Sequence, residues 1–189
     1  MNKVHVKRIK KYKVQPLEGK NPNPVLLNGC RALESANISY WLSAGTLLAL
    51  HRDHDFIPHD TDIDVGVFGN TDPIVVISAM SGIKYDLIRE VTYDNKPMQL
   101  AFMEPQQNII YDIYFYHEEG DHLINHSKFG KMEKPLALFR PLGEMKFREN
   151  IYSAPNNIEA YLRIRYGHDW NMPKKKTKAW SALAANIKK

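Results

Sequence analysis

The chain has 189 residues, of which 43% are hydrophobic and 25% are charged, and its formal net charge is +5. This composition is ordinary for a globular protein, and a chain of this length is expected to form one domain that buries about 70% of its unfolded surface. No apolar run approaches the roughly 20 residues that a membrane-spanning helix needs, and the single cysteine, Cys30, excludes an internal disulfide.

Lysines and arginines are concentrated at the two ends of the chain. We therefore divide it into a basic segment (residues 1–20), one domain (21–173) and a basic tail (174–189). Basic ends are usually solvated, and they also attract anionic polymers without sequence specificity. The first segment is not followed by the apolar stretch of a secretory signal, so we expect a cytoplasmic protein.

The domain is predicted to begin with a helix. Asn23 supplies an N-cap, and Pro24 takes the first position of a helix of about 12 residues. Leu26, Cys30 and Leu33 recur at helical spacing, which predicts that they share a buried face. A buried cysteine packs as a small apolar residue, so this pattern disfavours a nucleophilic role for Cys30.

A strand, a turn and a second strand are predicted next. Residues 38–42 form the first strand, the pair Gly45-Thr46 lies in the turn that follows, and residues 47–50 belong to a short helix. The polar segment 52–61 contains a proline and is predicted to be a loop. Residues 63–68 form the second strand.

The middle of the domain is predicted to be rich in strands. A helix begins at Asp72-Pro73 and ends at Gly82. Antiparallel strands are expected at residues 85–92, 98–103, 109–116 and 122–126, with turns at 95–97 and 105–108. Residues 128–147 are predicted to be irregular.

A capping box is predicted to open the last helix. Asn156 and Glu159 have the required spacing, and Gly167 closes the helix. Together these elements predict an α/β (α+β) fold in a single domain, with a mixed β-sheet and helices packed around it.

Three aspartates stand at alternating positions where the second strand begins: Asp60, Asp62 and Asp64. Successive side chains of a strand point to opposite faces, so Asp62 and Asp64 share one face. Two carboxylates about 5 Å apart repel by roughly 3 kcal/mol at an effective dielectric near 20, a cost that a cation offsets. Mg²⁺ prefers such oxygen ligands. The alternative is an acidic loop that only caps a turn.

Two other features lie near this acidic segment in the predicted fold. Asp112 stands inside the β-prone run 109–115, where a charge is costly unless it is paired or coordinates a ligand. A salt bridge at a strand end is the alternative for this residue. Upstream, Gly45 lets the backbone approach a phosphate, and Thr46 enters a helix whose N-terminus offers free N–H groups.

The order of these features resembles the nucleotidyltransferase superfamily, in which a Gly-Ser or Gly-Thr turn, an Asp-x-Asp strand and a later acid follow one another. More narrowly, GTLLALHRDHDFIPHDTDIDVGV (residues 45–67) resembles the LicD and fukutin family, whose signature reads G-T-L-L-G, an arginine, then I-P-W-D-x-D-I-D. Residues 111–113 match the later acid, and residues 155–173 match a C-terminal P-x(n)-Y-L-x-x-x-Y-G-x-x-W-x-x-P pattern. Ala49 and His59 stand where the family has glycine and tryptophan.

The resemblance implies a nucleotidyltransferase-like fold and a metal-dependent enzyme. Mg²⁺ or Mn²⁺ would be held by four carboxylates: Asp60, Asp62, Asp64 and Asp112. Asp62, Asp64 and Asp112 would be catalytic, with Asp112 either completing the metal site or acting as a base on the acceptor hydroxyl.

The resemblance also implies a phosphate-binding group beside these acids. Gly45, Thr46 and Arg52 would hold a phosphate of the donor, with Arg52 making a bidentate contact. The alternative for Arg52 is a salt bridge to one of three nearby acids: Asp53, Asp55 or Asp60.

Members of this family move a phospho-alcohol group, such as phosphocholine or ribitol phosphate, from a CDP-activated donor to a hydroxyl acceptor, usually a sugar. The superfamily alternative transfers NMP from an NTP to a small molecule, protein or nucleic acid. A noncatalytic polyanion-binding module on the same fold is a third hypothesis, against which the intact acids argue.

Three histidines near the acidic segment suggest a zinc site: His51, His54 and His59. Paired cysteines and an H-E-x-x-H motif do not accompany them. Structural or solvent-facing roles are therefore favoured for all three.

Overall fold

A mixed sheet of eight strands dominates the fold and confirms the predicted α/β class. The structure is a computed structural model that describes residues 3–127 and 130–173. The elements of these residues are β1 (Val4–Arg8), α1 (Pro22–Ser35), β2 (Tyr40–Leu42), α2 (Ala44–Arg52), β3 (Asp62–Phe68), α3 (Pro73–Gly82), β4 (Asp86–Tyr93), β5 (Lys96–Glu104), β6 (Ile109–Glu119), β7 (His122–Ser127), β8 (Gly130–Pro135), a 3-10 turn (Leu136–Leu138), β9 (Gly143–Phe147), β10 (Asn150–Ala154) and α4 (Ile158–Tyr166).

The strand order of the sheet places two distant segments side by side. The path runs β1-β4-β5-β6-β3-β2, while β7 pairs with β6 and β8 pairs with β7; β9 and β10 form a separate hairpin. β3 and β6 are parallel, and β2 and β5 flank this pair in antiparallel orientation. A parallel pair needs a long connection, and α3, β4 and β5 supply it.

One face of the β3–β6 pair forms the apolar core. Ile63, Val65 and Tyr111 are fully buried, and a Cβ at Gly29 of α1 would overlap the Tyr111 ring, so the helix lies close against the sheet. The thiol of Cys30 lies 3.4 Å from the Tyr111 hydroxyl. Burial raises the pKa of Cys30 to about 12, which confirms the structural role predicted for it.

The opposite face is crowded at one end by Trp41, and this contact gives a test of the core. Trp41 of β2 lies directly opposite Gly66 of β3, and a Cβ at position 66 would overlap the indole ring. We expect Gly66→Ala to lower the free energy of unfolding by about 1–3 kcal/mol, because overpacking forces the fully buried ring to move. Urea unfolding measures this change.

Gly82 supplies the control for that measurement. It is the last residue of α3, and a Cβ there would meet no heavy atom within 4 Å. Gly82→Ala is therefore expected to leave stability unchanged or to raise it by up to about 1 kcal/mol, because alanine restricts the unfolded chain. If both alanine variants unfold at the same urea concentration, the close approach of Trp41 does not limit the packing.

Several element ends differ from the predicted ones. α1 has its N-cap at Asn21 and begins at Pro22, two residues early, because the repeated Asn-Pro pair offers two possible starts. The capping-box prediction is wrong by one residue: Asn157 caps α4 by accepting from the N–H of Ala160, whereas Asn156 donates to two loop carbonyls.

The prediction that residues 128–147 are irregular is wrong. β8 and β9 lie in this stretch and pair with β7 and β10. Both strands are short and begin with a glycine, and β8 also ends with a proline. These residues have low β-propensity, so pairing with β7 and β10 determines that the two segments are strands. The turn predicted at 95–97 is likewise one residue off, because Asp94 and Asn95 adopt the positive φ angles of a two-residue hairpin.

The basic N-terminal segment contains a strand that the sequence analysis does not predict. β1 joins the outer edge of the sheet in antiparallel register with β4. Lys7 pairs with Glu90 at 3.1 Å and Lys10 with Asp86 at 2.9 Å.

Within the described residues, none of the helices combines the length and apolar character needed to cross a bilayer. The proposed basic tail, 174–189, lies outside those residues.

Candidate active site

The parallel pairing of β3 with β6 brings three predicted carboxylates together. Asp64 lies directly opposite Asp112 in the register, and Asp62 stands two residues earlier on the same face of β3. Each of the three offers a carboxylate oxygen within 4.8 Å of the others. The structure therefore assembles Asp62, Asp64 and Asp112 into a single cluster, which we call the acidic trio.

Two of the three carboxylates of the acidic trio are buried at a high electrostatic cost. Asp112 is 2% exposed and Asp64 is 7% exposed. Burial raises the pKa of Asp64 well above its usual range, and the charges of Asp62, Asp112 and Asp60 raise it further. Burial, with Asp62 as the next cause, raises the pKa of Asp112 to about 7. Three crowded carboxylates of this kind are a ligand set that suits a hard divalent cation.

Arg89 of β4 partly compensates this charge. Its Nη2 donates to both oxygens of Asp112 at 3.1 Å, and its Nη1 donates to the Tyr12 hydroxyl at 2.6 Å. Ala101 of β5 lies between Arg89 and Asp112 in the register, and its small side chain lets the guanidinium reach across. Arg89 opposes the rise in the pKa of Asp112, so it keeps this carboxylate fixed and partly neutralised.

The Gly45-Thr46 turn contacts the acidic trio directly. The N–H of Gly45 donates to the Asp64 carboxylate at 3.1 Å, and the Thr46 hydroxyl accepts from the N–H of Asp64 at 2.8 Å. A Cβ at Gly45 would lie 2.6 Å from a carboxylate oxygen of Asp60. A side chain at position 45 would therefore displace the Asp60 carboxylate from its place beside the turn, and Thr46 fixes the backbone that carries Asp64.

Asp60 lies beside the acidic trio on the loop before β3. The N–H groups of Leu17 and Glu18 donate to the carbonyls of Asp60 and Pro58 at 2.7 and 2.8 Å, so the N-terminal segment holds this loop in place. The charge of Asp60 acts on the pKa of Asp64. Its carboxylate is thus near the trio, although the three mutually close oxygens come from the other aspartates.

Arg52 forms the ion pair that the sequence analysis gave as its alternative. Its Nε and Nη2 donate to the two oxygens of Asp53 at 2.7 and 2.6 Å. Nη1 lies 3.5 Å from the Trp170 carbonyl. The arginine therefore joins the end of α2 to the segment after α4.

Comparison with known proteins agrees with this arrangement. The family model for "LicD/FKTN/FKRP, nucleotidyltransferase domain" matches residues 37–157, which include the acidic trio and the Gly45-Thr46 turn. The chain belongs to the LicD/FKTN/FKRP family. The resemblance inferred from the sequence motifs is confirmed.

Individual relatives of this LicD-family chain carry transferase names. It is 27% identical to ribitol-5-phosphate transferase FKTN of Macaca fascicularis over 171 residues, which cover 89% of this chain and 37% of that protein. It is 28% identical to ribitol 5-phosphate transferase FKRP of Homo sapiens over 145 residues, 71% of this chain and 29% of that protein. An uncharacterized protein of Rickettsia typhi is 23% identical over 151 residues, 73% of this chain and 48% of that protein. The chain thus spans about a third of the length of the curated transferases that it matches.

The three histidines that suggested a zinc site do not form one with the described residues of this LicD-family domain. His51 packs against the Trp170 ring with centroids 5.6 Å apart, and His54 and His59 are exposed. Over residues 3–127 and 130–173, the acidic trio is the one group with metal-ligand spacing. Trp170 packs against the core.

Three cationic residues near the acidic trio were missed by the sequence analysis: Arg89, Lys134 and Arg165. Arg89 could have been found, because a charge inside a predicted strand needs a partner, which is the argument that singled out Asp112. Lys134 lies in the stretch predicted to be irregular. Arg165 lies on α4, and nothing in the sequence of that helix indicates that this arginine lies near the acidic trio.

Proposed function

We propose that this LicD-family domain transfers a phospho-alcohol group from a CDP-activated donor to a hydroxyl acceptor, with a sugar as the favoured acceptor. The observation that carries the proposal is the acidic trio, in which two strands distant in sequence present three mutually close carboxylates, two of them buried. The transferase names of FKTN and FKRP support the choice of a phospho-alcohol such as ribitol phosphate.

Asp62, Asp64 and Asp112 are the residues that we assign to Mg²⁺ or Mn²⁺, with Asp60 as an additional ligand from the neighbouring loop. The cation would neutralise charge on the donor phosphates. A noncatalytic module that only binds polyanions has no use for three clustered carboxylates, two of them buried, when burial and then the neighbouring charges raise the pKa values of Asp64 and Asp112, so we do not favour that hypothesis.

The transfer requires a proton acceptor, and Asp112 takes that role in the arrangement in which Asp60, Asp62 and Asp64 hold the cation. Burial raises the pKa of Asp112, which makes it a better proton acceptor than an exposed carboxylate. In the alternative arrangement Asp112 completes the metal site instead. The acceptor oxygen forms a bond to the phosphorus that carries the alcohol. The bond from that phosphorus to the nucleotide oxygen breaks, and CMP leaves with the electron pair. The hydroxyl proton passes to Asp112, which Arg89 holds in position.

Phosphate binding is the role that we propose for the turn at Gly45 and Thr46. This turn contacts Asp64 in the structure, which supports the proposal, because a phosphate bound there would lie beside the carboxylates. Arg52 contributes to phosphate binding only if it exchanges its contact with Asp53 for the donor.

Nucleotidyl transfer is the second candidate, because the matching family model describes a nucleotidyltransferase domain. In that reaction a hydroxyl attacks the α-phosphorus of an NTP, and pyrophosphate leaves. The two reactions differ in the released product, so the product decides between them.

The test is product release from two sets of donors in the presence of Mg²⁺. We expect CMP to be released from CDP-ribitol or CDP-choline, faster when sugar alcohols or glycans are added, and release to stop when EDTA removes the metal. Pyrophosphate from NTPs, with no CMP from CDP-alcohols, would establish the second candidate instead. Failure to release either product with any donor would contradict both.

A further inference from the structure

A buried lysine and a partly buried arginine lie near the acidic trio, and among the described residues neither has a carboxylate within ion-pair distance. Lys134 of β8 is 3% exposed, and its Nζ donates to the Tyr116 hydroxyl at 2.7 Å. The Nη1 of Arg165 on α4 contacts the sulfur of Met132 at 3.0 Å, and its Nε is buried with no hydrogen-bond partner. Their charges reach the acidic trio, because Arg165 opposes the rise in the pKa of Asp64.

The two cations also act on each other. Burial lowers the pKa of Lys134 well below its usual range, and the charge of Arg165 lowers it further. Across residues 3–127 and 130–173, no carboxylate oxygen lies within 4.0 Å of either side chain, in contrast to Arg89, which pairs with Asp112. Asp64 is a counter-charge that acts on both cations, but it does not contact either of them. A buried cation without a directly bonded counter-charge is costly, so the pair is suited to an anionic ligand.

The side chain of Lys134 is held in position by a network that reaches the Gly45 turn. Its Nζ lies 4.1 Å from the ring centre of Tyr116 and 5.3 Å from that of Tyr161. The Tyr161 hydroxyl lies 2.9 Å from the Ser43 hydroxyl and accepts from the N–H of Ala44 at 3.0 Å. The lysine is therefore fixed relative to the N-terminus of α2, which immediately precedes the residue that contacts Asp64.

We propose that Lys134 and Arg165 bind the diphosphate of the donor. This inference rests on the proposed function, and it assigns the phosphate-binding charge to a pair of residues other than Arg52. Each phosphate of a CDP-alcohol carries negative charge, and the carboxylates of the acidic trio cannot contact it directly. Arg165 is partly exposed, whereas Lys134 is buried. The diphosphate would therefore approach the pair from the solvent side, where Arg165 lies.

The pair also has a role when the bond to the nucleotide breaks. The departing CMP gains negative charge on the oxygen that leaves, and fixed cations stabilise such charge as it develops. Tyr116 and Tyr161 keep Lys134 in place before the donor binds, so little reorganisation is needed at that step.

Binding of inorganic pyrophosphate and of CDP, measured by calorimetry with Mg²⁺ present, tests this proposal. Lys134→Met and Arg165→Met are each expected to weaken binding of both probes by at least about 10-fold, the loss expected for one charge-assisted hydrogen bond. Two exposed residues on neighbouring elements serve as controls, Lys146 of β9 and Arg163 of α4. Lys146→Met and Arg163→Met are expected to bind both probes within about 2-fold of the wild type.

Thermal unfolding separates the binding role from a structural one. Methionine removes the buried charge of Lys134 while keeping a similar volume, so Lys134→Met is expected to unfold at the wild-type temperature or above it. Arg165→Lys keeps the charge and is expected to retain more affinity for pyrophosphate than Arg165→Met. This comparison remains informative if the methionine variant is unstable.

The outcomes of the binding experiment are distinct from those of the product assay. Pyrophosphate binding within about 2-fold of the wild type in both methionine variants, or no binding by the wild type, would overturn the proposal. If binding depends on Lys134 and Arg165 but no donor releases CMP, the diphosphate site stands and the proposed transfer reaction is wrong.

Discussion

Replacing Asp64 by asparagine is expected to lower CMP release by at least about 100-fold, and Asp62→Asn is expected to have a similar effect. Both substitutions remove a charge that we assign to the metal, and loss of electrostatic stabilisation at a transition state has effects of this size. Asparagine retains an oxygen that can accept from the N–H of Gly45, as the Asp64 carboxylate does at 3.1 Å. The local fold should therefore survive.

Two measurements distinguish loss of the metal from loss of structure. CMP release gives the activity, and thermal unfolding with EDTA or Mg²⁺ gives the stability of each form. In EDTA, Asp64→Asn should be at least as stable as the wild type near neutral pH, because it removes a buried carboxylate whose pKa is raised by burial and by its neighbours. The stabilisation by Mg²⁺ that we expect for the wild type should be lost.

Asp86→Asn is the matched control. Asp86 lies on the same sheet but is half exposed and pairs with Lys10 at the surface, so its replacement should leave CMP release and the Mg²⁺ effect unchanged. If Asp64→Asn retains activity within a few fold of the wild type, or is stabilised equally by Mg²⁺, the assigned role of the acidic trio is wrong.

The sequence predicts the members of the acidic trio better than it predicts their surroundings. Asp62 and Asp64 alternate along one strand, and Asp112 stands as a charge inside another, so each is visible locally. Their meeting depends on the parallel register of β3 and β6, in which Asp64 lies opposite Asp112. That register is set by tertiary packing across a long connection, and only the family resemblance indicated it.

The cations around the trio show why the rest of the site is harder to predict. Arg89 reaches Asp112 because Ala101 on the intervening strand is small, and such a combination of three strands is not visible in any local pattern. Lys134 lies on a strand between glycine and proline, where propensity favours a loop. β1 likewise has only one partly buried residue, so its pairing with β4 leaves little hydrophobic pattern in the sequence.

Gly45 and Thr46 have a role in the structure that their sequence motif does not predict. A Gly-Thr pair before a helix suggests phosphate binding, and the structure adds contacts that no motif specifies. Gly45 leaves space for the Asp60 carboxylate, and Thr46 accepts from the N–H of Asp64. The turn therefore positions the carboxylates as well as forming the helix N-terminus.

The metal-free protein is expected to lose stability as pH rises from about 4 to about 7. In the unfolded chain an aspartate has a pKa near 3.9, whereas in the folded protein the pKa of Asp112 is about 7 and that of Asp64 is also raised. Between these values the native state holds protons that the unfolded state has released. Because the native state binds more protons, the free energy of unfolding falls with increasing pH over this range.

The difference between Asp64→Asn and the wild type isolates this contribution, since most other titrating groups are common to both proteins. Urea unfolding in EDTA should show the variant gaining stability relative to the wild type as the pH rises from 4 to 7, because the folded wild type retains a proton on Asp64 that its unfolded chain has released. Asp86→Asn should show no comparable change. Saturating Mg²⁺ should stabilise the wild type most at the higher pH, because a cation binds the ionised carboxylates. A difference between Asp64→Asn and the wild type that does not vary with pH would show that the buried carboxylates are already compensated without a metal, and the main physical reason for placing a cation between β3 and β6 would be lost.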